Sequence, residues 1–109
     1  MNVPDSSGPC RFLAISRFRV ANAMTPEVRE AFLRRPHLVD GASGFVRMEV
    51  VAPLDDPDEF WLLTYWTDQE SFRSWHHSHT YRESHSGIPR GLRLDPAVTQ
   101  LRFFEKLSD

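Results

Sequence analysis

The alternation of apolar and polar residues along the chain predicts four β-strands. The strands are expected at residues 11–20, 45–52, 60–66 and 98–107. Within the first strand, every second residue from Phe12 to Phe18 shares one face, because side chains alternate along a strand. The third strand is the most apolar, and it ends at Trp66.

Two helical regions separate these strands. Thr25 and Pro26 predict a helix start, because threonine caps helices and proline suits the first helical position. This helix is expected to continue through Leu38 and Val39, with a bend at Pro36. A second helix is expected after a capping box formed by Thr67 and Glu70. Residues 78–85 are expected to form a further short helical piece or a turn.

The resulting order, β-α-β-β-α-β, predicts an α+β ferredoxin-like fold with a four-stranded antiparallel sheet. One sheet face would carry no helix, and it should be polar if it meets water. The pattern instead predicts apolar residues on both faces. The third strand places Phe60, Leu62 and Trp66 opposite Trp61, Leu63 and Tyr65, and the second places Val46, Met48 and Val50 opposite Phe45 and Val51. We therefore expect a homodimer that packs through its sheet faces.

Composition narrows the class of protein. The chain has 109 residues, of which 40% are hydrophobic and 26% charged, as in globular domains. We expect one domain over residues 11–109, preceded by a disordered arm over residues 1–10. The net charge of −2 predicts no nucleic-acid partner and no attraction to a membrane surface. With one cysteine and no signal-peptide or membrane-spanning pattern, a cytoplasmic location is expected.

The candidate chemistry is concentrated in residues 60–87. Trp66 packs in the core or forms the wall of a ligand pocket, and the pattern allows both interpretations. Phe72 and Trp75 follow one helical turn apart, and His85 comes shortly after them. A histidine here either caps a helix end or ligates a metal such as haem iron. This layout can place aromatic rings and an imidazole around one pocket for a small flat aromatic ligand.

Other clusters of polar residues favour no site. His76, His77 and His79 lack a carboxylate or cysteine at metal-site spacing, which favours a solvated face. The acidic residues between Asp55 and Glu59 lack the spacing and glycine of an EF-hand. The chain carries no phosphate-binding glycine loop and no nucleophile elbow.

Three segments resemble the antibiotic biosynthesis monooxygenase family: SGF at residues 43–45, the strand–helix junction from Thr64 to Trp75, and S-x-x-Y-x-x-S-H ending at His85. The resemblance extends over residues 11–107. It implies a dimeric α+β barrel, in which two ferredoxin-like sheets pack face to face.

Within that family the chain is most similar to the haem-degrading monooxygenases of the staphylococcal and mycobacterial type. The resemblance implies oxygenation of the haem ring by O₂, with electrons from an external donor such as a partner reductase, and release of iron. It implies that His85 is the axial iron ligand and that Trp66 presses against the porphyrin. Ser16 stands where those enzymes have an asparagine, and its hydroxyl is a shorter hydrogen-bond donor.

Three further residues complete the cofactor-binding set that the resemblance implies. Phe18 and Leu62 are expected beside the haem. Arg90, together with Arg93, is expected to meet the haem propionates. Residues 86–97 are expected to form a lid.

Two alternatives to haem degradation remain open. The same pocket could serve a cofactor-independent monooxygenase of polyphenols or quinols, in which the substrate itself reduces O₂. The chain could also be a non-catalytic dimer that binds a small apolar ligand, because a fold does not fix a function.

Overall fold

The elements of the fold follow the order expected from the sequence. The computed structural model describes residues 10–85 and 88–109, so the expected disorder of the arm lies outside the described residues except at Cys10. The strands are β1 (Phe12–Arg19), β2 (Phe45–Val51), β3 (Glu59–Trp66) and β4 (Gln100–Glu105). The helices are α1 (Thr25–Leu33), α2 (Gln69–His76) and α3 (His79–Ser84), with a 3-10 turn at Leu38–Gly41.

The four strands form one antiparallel sheet in the order β2-β3-β1-β4. This arrangement confirms the predicted α+β ferredoxin-like fold. The central strand β1 pairs with both β3 and β4, and Ser16 lies opposite Leu62 on one side and Leu101 on the other. None of the helices in the described residues is long and apolar enough to span a membrane.

The second strand differs from its expected pattern at its first residues. A register shift lies between Phe45 and Arg47 in the pairing of β2 with β3. As a result Phe45 and Met48 both pack against the core around Trp66. The prediction that Phe45 lies on the face opposite Met48 was wrong, because an extra residue in a strand breaks the two-residue alternation.

The first helix is shorter than expected. Met24 occupies the N-cap position, and the Thr25 hydroxyl donates to the Asp58 carboxylate instead of capping the helix. The helix ends at Leu33, before Pro36, because the residue preceding a proline disfavours the helical conformation. The expected continuation through Leu38 and Val39 forms the separate 3-10 turn.

The other two helices begin at side-chain caps. Asp68, and not Thr67, caps α2, and its carboxylate accepts a bond of 2.8 Å from the Ser71 backbone N–H. The capping box predicted from Thr67 and Glu70 was therefore wrong. Ser78 caps α3 by accepting from the Tyr81 backbone N–H at 3.0 Å, which agrees with the short helical piece expected there.

Two separate clusters form the core on the helix-facing side of the sheet. The first contains Phe12, Ala14, Val39, Trp66 and Phe72, and it holds α2 and the 3-10 turn against the sheet. The second contains Val20, Val28 and Phe60, and it holds α1. Ala14 belongs to the first cluster and Phe18 packs against the second. Ser16 lies between these two residues on the same face of β1, so the middle of the sheet separates the two clusters.

The helix-free face of the sheet combines aromatic and charged side chains. Trp61 and Tyr65, which the strand pattern predicts on this face, both lie beside arginine side chains. The Arg47 guanidinium lies 3.8 Å from the ring centre of Tyr65, and Arg17 lies 5.4 Å from that of Trp61. The Tyr65 hydroxyl donates to Glu49 at 2.8 Å. Stacked guanidinium groups and aromatic rings leave this face only partly polar.

Gly44 is expected to be required for the contact between the start of β2 and the start of α2. Its φ is +79°, and a Cβ there would overlap with the side chain of Ser71. We expect Gly44→Ala to lower the free energy of unfolding by about 2–4 kcal/mol, from backbone strain and overpacking. Urea denaturation followed by circular dichroism measures the change.

Two other glycines provide controls for this substitution. A Cβ at Gly41 or Gly91 would meet nothing within 4 Å, but only Gly91 has a positive φ, of +82°. Gly91→Ala should therefore report backbone strain alone, and Gly41→Ala neither effect. Equal stability of the Gly44 and Gly41 variants would contradict the proposed role of Gly44.

Candidate functional site

Trp66 lies at the centre of the first core cluster. It has 0% of its surface exposed, and its ring lies edge-on to Phe45 at 5.4 Å and to Phe72 at 5.7 Å. Its indole Nε1 has no hydrogen-bond acceptor in the described part of the chain, so ring packing sets its position. This placement supports the core interpretation of Trp66 and not the pocket-wall interpretation.

The middle row of the sheet consists of Leu62, Ser16 and Leu101, which are direct neighbours on β3, β1 and β4. Cβ atoms of such pairs lie about 4.5–5.5 Å apart. Ser16 and Leu62 are half-buried, whereas Leu101 is 44% exposed. Ser16 therefore contributes a hydroxyl to a row that is otherwise apolar.

An apolar opening on the helix-facing side adjoins this row. Phe103, the next residue of β4 on the same face, is 51% exposed although it contacts Phe12 at 5.7 Å and Phe72 at 5.4 Å. On the other side of the row, Phe18 stacks on Phe60 at 5.5 Å and packs against the second cluster. We call the surface formed by the middle row and Phe103 the sheet opening.

His85 lies at the C-cap position of α3 and is exposed. Its Nδ1 is 2.9 Å from the Tyr81 carbonyl oxygen. A carbonyl can only accept, so this contact requires the proton on Nδ1. In the neutral ring the lone pair is then on Nε2, which is the atom that can bind a metal.

A series of rings in contact leads from the core to His85. Phe72 and His76 are 5.3 Å apart, His76 and Tyr81 are 4.7 Å apart, and Tyr81 and His85 are 4.3 Å apart. We call these four residues the ring series. Because Phe72 also contacts Phe103, the ring series connects His85 with the sheet opening.

The imidazole of His76 lies inside this series. Burial lowers its pKa below the ordinary value, and the nearby His77 and His85 lower it further. The lowered pKa favours the uncharged imidazole, which suits a ring packed between Phe72 and Tyr81.

Arg90 is exposed in the connection between α3 and β4. The neighbouring backbone is tied to the segment that follows β1, because Asn22 donates to the Gly91 carbonyl at 2.7 Å and Ala21 donates to that of Arg93 at 2.9 Å. Leu92 packs against the second cluster. The described part of the expected lid is thus attached to the sheet, while residues 86 and 87 lie outside the described residues.

A cavity of about 630 Å³ lies between the 3-10 turn, α2 and α3. Its lining includes the half-buried Trp75 and the acidic residues Asp68 and Glu70. It also includes the hydroxyl side chains of Ser43, Ser71, Ser74, Ser78 and Thr80. We call this cavity the hydroxyl-lined cavity. Trp75, one of the aromatic residues expected around a pocket, lines it, whereas the residues that the family resemblance implies for a haem site do not.

Trp75 lines the hydroxyl-lined cavity, and its ring lies edge-on to Tyr81 at 5.9 Å. The family resemblance implies the porphyrin contact for Trp66 and not for Trp75. The signal that separates the two residues is their position. Trp66 ends a strand that is apolar on both faces, whereas Trp75 lies near the end of a short helix.

The antibiotic biosynthesis monooxygenase family matches residues 11–87, from the start of β1 past α3. The chain belongs to this family. The match confirms the resemblance carried by the segment at residues 43–45, the strand–helix junction and the segment ending at His85.

The chain is similar to a characterised protein, the mycobilin-producing haem oxygenase of Mycobacterium tuberculosis. The two proteins are 26% identical over 61 residues. The matched region is 56% of this chain, and the chain spans 58% of the relative's length.

Two solved structures share the fold. The haem degrader MhuD of Mycobacterium tuberculosis, solved with two haems in its active site, has a TM-score of 0.68 and 24% identity. That match covers 90% of this chain and 97% of the other. SnoaB of Streptomyces nogalater, a cofactor-independent oxygenase, has a TM-score of 0.64 and 18% identity, with 93% and 95% coverage. The fold is therefore common to oxygenases that use haem and oxygenases that use no cofactor.

The burial of Trp66 predicts a large effect on stability. We expect Trp66→Ala to lower the free energy of unfolding by about 3–5 kcal/mol, because it leaves a cavity among aromatic rings. Trp75→Ala, at a half-buried position, should lower the free energy of unfolding by a clearly smaller amount. Urea denaturation followed by far-ultraviolet circular dichroism compares the two variants. A larger loss for Trp75→Ala would contradict the assignment of Trp66 to the core.

Proposed function

We propose that this chain is a haem-binding oxygenase that degrades haem at the sheet opening. The observation that carries the proposal is the position of the His85 imidazole, held through Nδ1 and joined by the ring series to an apolar surface. The partial likeness to a mycobacterial haem oxygenase supports the same substrate.

The residues proposed to hold haem suit that ligand by their chemistry. His85 offers Nε2 to the iron, with the Tyr81 carbonyl as the outer partner that such ligands commonly have. Leu62, Leu101 and Phe103 offer apolar contact to a flat ring. Arg90, which is exposed, is proposed to meet the propionates.

In this proposal each group of the chain has a separate task. When bound, haem would supply both the iron that binds O₂ and the ring that is oxygenated. His85 holds the iron, and the apolar residues of the sheet opening exclude water. The Ser16 hydroxyl, in the middle row, would donate a hydrogen bond to the bound ligand. Phe18 would contact the edge of the ligand beside the second cluster. Haem degradation consumes electrons, so we propose an external donor such as a reductase.

Trp66 takes no direct part in this proposal, because no part of its surface is exposed. Its contribution is to pack under Phe72, the first residue of the ring series. A direct contact between Trp66 and a ligand would require the first core cluster to open.

The hydroxyl-lined cavity favours a second candidate function. Its carboxylates, Asp68 and Glu70, would repel the propionates of haem, whereas its hydroxyl groups suit an uncharged hydroxylated ring system beside Trp75. A cavity of about 630 Å³ is within the usual range for a small-molecule site. A polyphenol or quinol that itself reduces O₂ is therefore the alternative substrate, and a non-catalytic ligand-binding dimer is the third possibility.

We also propose that two chains associate through the helix-free face of the sheet. That face carries Trp61, Leu63 and Tyr65 on a central strand. Its ion pair between Arg17 and Glu59, at 2.9 Å, leaves the face partly polar. A second copy would cover the aromatic area symmetrically.

Sedimentation tests the homodimer. At micromolar concentration we expect twice the 12.7 kDa mass of one chain. Leu63→Asp, which places a charge in the proposed interface, should shift the protein to the monomer mass. Leu54→Asp, in the exposed loop before β3, is the control that should leave the mass unchanged. A wild-type monomer would contradict the proposal.

Titration with hemin tests the haem proposal. We expect a saturable Soret band at micromolar hemin, lost or displaced in His85→Ala because the iron ligand is removed. His79→Ala is the control, because His79 is exposed on the same helix. The bound band should then decay with ascorbate in the presence of O₂.

Each negative result has a distinct meaning. No saturable hemin binding would overturn the haem proposal and favour the hydroxyl-lined cavity as the ligand site. Binding that survives in His85→Ala would overturn the assignment of His85 as ligand. Binding without decay would leave a haem-binding protein that is not an oxygenase.

A further inference from the structure

Tyr81 contacts His85 in two independent ways. Its ring lies 4.3 Å from the imidazole, and its backbone carbonyl oxygen is 2.9 Å from Nδ1. We propose that Tyr81 is a positioning residue, which fixes both the tautomer and the orientation of the His85 imidazole before a ligand binds.

The exposed position of His85 explains why its orientation depends on such contacts. The side chain is exposed and follows a helix of six residues, Ser84 being the last. An exposed imidazole at a helix end would otherwise exchange among rotamers. A rotamer fixed in advance removes an entropic cost from binding.

Tyr81 is itself held from two directions. The Ser78 side chain accepts from its backbone N–H at 3.0 Å, and this hydroxyl donates to the Trp75 carbonyl at 2.7 Å. The Tyr81 ring lies against His76 at 4.7 Å and edge-on to Trp75. The end of α2 therefore fixes the tyrosine, and the tyrosine fixes the histidine.

The carbonyl and the ring of Tyr81 have different tasks. The carbonyl can only accept, so it selects the tautomer with the proton on Nδ1 and the lone pair on Nε2. The ring limits the orientation of the imidazole plane. This inference rests on the proposed function only where it concerns haem, because the geometry of His85 is a property of the protein without ligand.

Nuclear magnetic resonance of the ligand-free protein tests the positioning directly. In ¹⁵N-labelled wild-type protein at slightly alkaline pH, the His85 nitrogen shifts should report a proton on Nδ1. The His85 ring protons should carry a ring-current shift from Tyr81. Tyr81→Leu keeps the backbone carbonyl and removes the ring, so it should remove the ring-current shift. It should also move the nitrogen shifts toward an average of the two tautomers, because without the ring the imidazole turns away from the carbonyl for part of the time.

Tyr81→Phe is the matched variant, because it keeps the ring and the backbone carbonyl and removes only the hydroxyl. It should retain the wild-type nitrogen shifts of His85 and a ring-current shift of similar size. The signals of His79, at the other end of α3, should not change in either variant and therefore report that the helix is intact.

Hemin affinity supplies the second measurement. We expect about three- to tenfold weaker binding for Tyr81→Leu and wild-type binding for Tyr81→Phe. Unchanged affinity of Tyr81→Leu would overturn the role in haem binding. If no variant binds hemin, the proposed function fails, but the nitrogen shifts still decide whether Tyr81 positions His85.

Three results would overturn the inference from the ligand-free protein. The first is a wild-type proton on Nε2. The second is a set of His85 shifts unaffected by Tyr81→Leu. The third is a change of the His85 shifts in Tyr81→Phe that equals the change in Tyr81→Leu. That result would assign the effect to the tyrosine hydroxyl and not to the ring. The first result requires only the wild-type protein, so it does not depend on the folding of any variant.

Discussion

The separation of the core into two aromatic clusters is the constraint on which the rest of this structure depends. The first cluster, around Trp66, fixes α2 and the 3-10 turn at one end of the sheet. The second cluster, around Phe60, fixes α1 at the other end. Each cluster is held by apolar burial and aromatic contact. The middle row of the sheet lies between them, so a shared surface remains where a flat ligand could enter.

The ring series connects this surface with the exposed imidazole of His85. Phe72 belongs to the core, whereas His85 is exposed, and His76 and Tyr81 lie between them. An imidazole at the end of a short helix therefore depends on core packing for its orientation. The sheet opening is mostly apolar, whereas the hydroxyl-lined cavity carries hydroxyl groups and carboxylates, and that difference separates the two candidate substrates.

The period of two along the strands determined much of the fold from the sequence. It located the four strands, their order with the helices, and the apolar residues on both faces of β3. Single capping residues were less informative, because Thr25 and Asp68 can each bond to several partners and the packed loops select among them. The register shift after Phe45 also depends on pairing between strands, which no pattern within one strand contains.

The sequence by itself determined the family, the ferredoxin-like order and the presence of aromatic residues and a histidine in one segment. Only the tertiary structure decided which of Trp66 and Trp75 is core and which lines a cavity, because the two side chains have the same chemistry and the fold sets what packs around each of them. It also decided that Tyr81 contacts His85 through both ring and carbonyl. Spacing along a chain limits which residues can meet, but the packing of helices on the sheet selects the contacts that form.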